Sequence, residues 1–141
     1  MLKMKKILFL CTFLLTVMSC SLDDDGRSNS YHLEILPIES VDMPEEFVLG
    51  ETYTIYTSYL KPSSCYVFYD HYFESELNQR TIAVVDKVYE NDCEDYEPEV
   101  IEEVSFNFKV VSNGTYIFKF WQGEDENGND LYYIVEVPVA E

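Results

Sequence analysis

The sequence predicts an all-β fold, a two-sheet sandwich of seven strands paired antiparallel, and three observations carry that prediction. Short runs of alternating apolar and polar residues recur about every ten positions, turn-forming residues separate them, and no stretch sustains a 3.6-residue period. The composition agrees, because 47% of the 141 residues are apolar and 16% aromatic, with 12 tyrosines and 9 phenylalanines. Aromatic and β-branched side chains fit a pleated, half-buried surface, and acidic chains that stay unfolded are poor in both. The length allows one domain and excludes a multi-domain enzyme.

Residues 1–19 form the first element, an expected signal peptide that is cleaved. Lys3, Lys5 and Lys6 precede a mostly apolar stretch over residues 7–18, the charge and apolar order of a secretory leader. Twelve helical residues would cover about 18 Å, short of the ~30 Å hydrocarbon core of a bilayer. The stretch ends in Leu15-Thr16-Val17-Met18-Ser19-Cys20 and is followed by Ser21-Leu22-Asp23-Asp24-Asp25. These residues resemble the lipobox and the acidic export signal of Bacteroidota surface lipoproteins, with Met18 the loosest fit. The resemblance covers residues 1 to 25 and implies that Cys20 is lipidated, becomes the first residue and anchors the protein in the outer membrane, facing the cell surface. Residues 20–30 are polar and include Gly26, so they read as a flexible acidic tether.

The domain is expected over residues 31–141. Its seven runs are 31–38, 51–60, 65–73, 80–89, 103–111, 115–122 and 131–139, with an edge segment between Pro44 and Gly50. Tyr53, Ile55, Thr57 and Tyr59 alternate in the second run; Val104, Phe106, Phe108 and Val110 do so in the fifth, with Ser105, Asn107 and Lys109 turned outward. Asn127-Gly128 is a strong signal for a two-residue type I′ hairpin. Centred there, the last two runs would pair Phe120 with Val135, Phe118 with Val137 and Tyr116 with Val139, all on one face. The segment Ser112-Asn113-Gly114-Thr115-Tyr116-Ile117-Phe118 then resembles the turn and tyrosine corner that open the sixth strand of immunoglobulin-like domains. Phe118 and Ile55 stand where that family has its core cysteines, and the third run lacks the family's tryptophan. The resemblance is therefore to the wider immunoglobulin-like sandwich class.

Four cysteines are present. With Cys11 in the leader and Cys20 taken by lipid, Cys65 and Cys93 are expected to form a disulfide in an oxidising compartment. A reactive thiol assisted by His71, or a metal pair, competes with that reading on weaker signals, since no Cys-x-x-Cys or clustered histidine occurs.

Chemistry is sparse. The 27 acidic and nine basic residues give a net charge of −18, and loss of Lys3, Lys5 and Lys6 with the leader takes it to −21. Such a chain repels polyphosphate, which excludes nucleic acid as a partner. Residues 90–103 hold eight carboxylates, enough in number for calcium, but they fix no coordination spacing and read as a solvated loop. Glu124 to Asp130 superficially resembles an EF-hand run, yet Gly128 falls three places after Asp125 rather than five, and a turn is the better reading. Carboxylate pairs for glycoside hydrolysis would need a cleft, and no Gly-x-Ser-x-Gly or phosphate-binding glycine loop accompanies His32 and His71. No catalytic residue, metal or cofactor is expected.

The candidate ligand-binding residues are Tyr56, Tyr66, Tyr72, Trp121 and Tyr132, which stand opposite the faces assigned to the core. Exposed rings beside carboxylates can stack on sugar faces or anchor a protein interface. The expected function is thus a non-catalytic binding module for glycan or protein, held at the membrane by lipid. The alternatives are a structural or accessory subunit of an envelope assembly, or a protease inhibitor on the same fold, which would need loops less acidic than these.

Overall fold

The computed structural model describes residues 30–90 and 92–140. The leader, Cys20 and nearly all of the tether lie outside the described residues. Nine strands and no helix are present among the described residues: β1 (Tyr31–Leu36), β2 (Ile38–Asp42), β3 (Phe47–Val48), β4 (Thr52–Ser63), β5 (Tyr66–Glu76), β6 (Gln79–Tyr89), β7 (Asp95–Lys109), β8 (Thr115–Glu124) and β9 (Asp130–Ala140). The first expected run, 31–38, is interrupted at Pro37, which has no N–H for a ladder, and β2 runs on to Asp42 beyond the expected end, so the described strands number nine rather than the expected seven. At Pro37 the chain leaves one sheet for the other, and Leu36 and Ile38, on either side of it, are both buried.

Two sheets enclose the core. The larger runs β1-β6-β8-β9-β3, with β5 on the other side of β6, and the smaller is β2-β4-β7. Two pairings depart from the all-antiparallel expectation: β3 lies parallel to β9, and β6 parallel to β8. One edge of β6 is shared, since residues 84–89 pair with β1 and residues 79–82 with β8. Pro37 turns β1 away just where β8 takes its place.

Alternation decides what enters the core. Ile55, Thr57 and Tyr59 of β4 point inward opposite Phe106, Val104 and Glu102 of β7, while Ser105, Asn107 and Lys109 are exposed. On the other sheet Phe118, Phe120 and Val137 are fully buried. Phe47 of β3 closes one end, with its ring centroid 4.9 to 6.1 Å from those of Tyr53, Phe108, Phe118 and Tyr116. Aromatic pairs at these distances stabilise beyond the area they bury. Beside them the Tyr116 hydroxyl accepts hydrogen bonds from the N–H of Val111 (3.1 Å) and of Ser112 (3.0 Å) and from Ser112 Oγ (2.8 Å). The turn before β8 is thereby tied to its first buried ring.

The β8–β9 hairpin corrects the expected register. Phe120 faces Tyr133, Phe118 faces Val135 and Tyr116 faces Val137, a shift of two residues from the pairing centred on Asn127-Gly128. Two single-residue slips produce it. The turn spans Asp125 to Gly128, with the Gly128 N–H donating to the Asp125 carbonyl at 3.0 Å, and only Gly128 has a positive φ, at 79°. A type I′ turn would need Asn127 there too. The second slip is at Gly123, φ 95°, where the ladder shifts between Trp121 and Glu124. Because two slips restore the alternation, the inward face stays the expected one.

The acidic segment is likewise corrected. It is not a long loop: from Asp95 onward it belongs to β7 and pairs with β4 as far as Ser63. Leu60, Lys61 and Ser63 supply the partner strand, and most of the carboxylates project to solvent. Cys65 and Cys93 form the expected disulfide, Cα to Cα 5.4 Å, at the start of this long β-ribbon.

Candidate functional site

The outer face of the larger sheet has a depression because its middle strand carries small residues where its neighbours carry large ones. On β6 the outward positions Thr81 and Ala83 lie between Glu74 and Tyr72 of β5 on one side and the rings of β8 and β9 on the other. Trp121 of β8 pairs directly with Tyr132 of β9, and Ile35 of β1 closes the far end. The resulting groove has a volume of about 490 Å³, with Glu124 and Asp130 completing its lining.

Hydrogen bonds hold the rings in place. Trp121 Nε1 donates to Asp130 Oδ1 at 2.8 Å, the Tyr132 hydroxyl to Asp130 Oδ2 at 3.4 Å, and the Tyr72 hydroxyl to Glu74 Oε2 at 3.3 Å. The field is negative: Glu74 holds the Tyr72 hydroxyl above its ordinary pKa, and burial, then Asp130, does the same for Tyr132. Asp125 fixes the hairpin tip at the groove's end by accepting from the N–H groups of Asn127 and Asn129 and from the Asn129 amide. This is a satisfied turn, with its side chain and backbone acting together.

Of the five candidate rings, Tyr72, Trp121 and Tyr132 come together here. Tyr56 lies on the outer face of the other sheet, between Asp42 and Ser105. Tyr66 faces inward, packed against the core, with its hydroxyl donating to Glu34 Oε2 at 3.1 Å. A bulge explains Tyr66: between Phe68 and Asp70 the β5 ladder gains an extra residue, Tyr69, which reverses the alternation. Tyr66 and Tyr72 therefore occupy opposite faces despite their even spacing.

Glu74 and the small floor residues are not among the sequence candidates, and Glu124 and Asp130 enter there only as the ends of the hairpin-tip run, not as part of a ring-lined surface. Glu74 was available, being two residues from Tyr72 and so on its face. Asp130 depends on the hairpin register, and the floor on the β5–β6 pairing.

A second polar site lies between the sheets. Asp86 of β6 is fully buried; its Oδ2 accepts from the Tyr59 hydroxyl at 3.1 Å, and its Oδ1 has no hydrogen-bond partner. Lys61 pairs with Glu102 at 2.8 Å nearby. Burial pushes the Asp86 carboxyl up to about 6, and burial, with Asp86 next, raises Tyr59. His71 is held between the sheets, with Nε2 2.9 Å from Thr57 Oγ1, and burial lowers its pKa. The two cysteines among the described residues, Cys65 and Cys93, are joined to each other. No group of three or more metal-ligating side chains is present among the described residues.

Comparison with known protein families, with characterised proteins and with solved structures returns no match.

Proposed function

We propose that this chain is a lipid-anchored lipoprotein of the outer membrane, facing the cell surface, and that it acts as a non-catalytic recognition module for glycan or protein through the groove of Tyr72, Trp121 and Tyr132. The observation that carries this reading is the convergence of three hydrogen-bonded rings, from three strands, on one concave surface. Rings fixed in advance lose little freedom when a ligand stacks on them, and binding sites are typically concave, mostly apolar and sparingly polar. The anchor rests on the lipobox resemblance around Cys20.

Within the sandwich class, the immunoglobulin-like reading draws support from the tyrosine corner at Tyr116, while the parallel β6–β8 pairing departs from that pattern. The accessory-subunit reading has its own observation: Val48 and Leu49 are exposed beside Val139 and Ala140, around a hollow at one end of the sandwich.

The test uses the full-length chain with Cys20→Ala, screened against a glycan array and immobilised surface proteins. Binding should fall at least about tenfold in a Trp121→Ala, Tyr132→Ala variant that keeps its β-sheet circular dichroism, as loss of two anchoring rings implies. Unchanged binding in the folded variant would refute the groove as the site.

A further inference from the structure

The charges around the groove narrow its ligand, an inference that rests on the recognition reading above. Glu74, Glu124 and Asp130 all line it. The ion pairs among the described residues are His32–Glu34 and Lys61–Glu102, so none of the three groove carboxylates is neutralised by a salt bridge. Lys119 is the nearby cation. Its Nζ sits 4.3 Å from the centroid of the Tyr132 ring rather than on a carboxylate, and counting it still leaves the groove net negative.

That contact also reveals what the surface accepts. A ring face attracts an ammonium or guanidinium through its quadrupole, more strongly where carboxylates add to the potential. On the same sheet face Lys87 Nζ stands 4.9 Å from the Tyr31 centroid and 4.3 Å from that of Tyr69. The outer face thus places its own ammonium groups on tyrosine rings. In the groove the Trp121 and Tyr72 rings, with Glu74 and Glu124 beside them, offer the same combination to an outside group. The chain's overall charge of −18 would draw cations toward it and repel acidic glycans and phosphorylated ligands.

We propose that the groove binds a cationic peptide segment, with a lysine or arginine side chain laid across Trp121 and Tyr72 and its charge held between Glu74, Glu124 and Asp130.

Trp121 is the single tryptophan of the chain, so its fluorescence reports on the groove directly. The full-length Cys20→Ala chain is titrated, at physiological salt, with tetralysine amide, with the same peptide acetylated on every amino nitrogen, and with a neutral glucose hexasaccharide. Parallel calorimetry detects binding elsewhere. Tetralysine should shift Trp121 emission saturably and bind at least about tenfold more tightly than its uncharged counterpart. Glu74→Gln with Glu124→Gln should weaken it about tenfold, as expected for loss of two charges beside the ligand. Glu97→Gln with Glu99→Gln, exposed on the smaller sheet, should leave it within about twofold, which separates the groove from general attraction. Equal weakening by both pairs, or equal binding of the acetylated peptide, would overturn the cationic assignment. A Trp121 shift by the hexasaccharide alone would overturn it too while leaving the recognition reading intact. Silence from all three probes in both fluorescence and calorimetry would count against both.

Discussion

Asp86 has no exposed surface and one oxygen without a partner, an arrangement in which the charged carboxylate costs more than the neutral acid. Burial is the largest cause of its rise from 3.8 to about 6; the Tyr59 hydroxyl and Lys61 oppose the rise, and Glu102 and Glu34 add to it. The folded state therefore holds this proton more tightly than the unfolded chain does. The resulting stabilisation is complete below the unfolded value near 3.8 and is lost as pH rises through about 6. Urea unfolding at pH 4 and at pH 7.5 should show the wild type losing more stability over that interval than Asp86→Asn, by on the order of 1 to 3 kcal/mol. Parallel profiles would mean that Asp86 does not change protonation there. The inward position was legible, because Val84, Asp86 and Val88 share one phase of β6. Its partner was not, because Tyr59 reaches it across the sandwich from another sheet.

At the scale of elements, the seven expected runs fall on seven of the nine strands and the edge segment falls on β3, while β2 lies outside them beyond Ile38. The other differences arise where one residue is inserted or one strand continues. The Tyr69 bulge moved Tyr66 indoors, and the slips at Gly128 and Gly123 displaced the hairpin register without changing its face. Neither slip leaves a mark in hydropathy, since a bulge is decided by pairing between strands rather than by composition. The acidic segment departs from the expected loop for a related reason. Carboxylates disfavour strands in isolation, but β4 offers a partner edge past Leu60, and the disulfide holds the two strands' ends together. That bridge closes a separation of 28 residues, for which the chain-entropy relation gives about 3 to 4 kcal/mol. Cys65→Ala with Cys93→Ala should lower unfolding stability by that amount and open the far end of the β4–β7 ribbon first. Amide exchange should quicken at residues 95–101 ahead of the Tyr53–Phe108 region, and uniform acceleration would contradict this order.

For the whole molecule, the proposed anchor and the described domain lie in separate parts of the chain. The lipobox resemblance at Cys20 predicts that Cys20→Ala moves the protein from the membrane fraction to the soluble one, as loss of an acyl anchor requires. Retention in the membrane would remove the anchor from the proposal. The two-sheet class was readable from run spacing, whereas the parallel β6–β8 pairing joins segments far apart in sequence, and the crossing at Pro37 follows from β1 and β2 pairing with strands of different sheets. The groove was half readable for the same reason. Its rings stood out as types, but the floor is defined by what β6 lacks. Ala83 is buried on the sheet's outer side, and its one methyl group leaves the hollow between Tyr72 and Trp121 open. Valine is a single nucleotide away from alanine in the genetic code, so one point mutation could make the site shallower while every ring and every inward-facing residue stayed the same. Folding depends on one side of β6 and the proposed recognition on the other, an arrangement that would leave the two properties free to evolve almost independently.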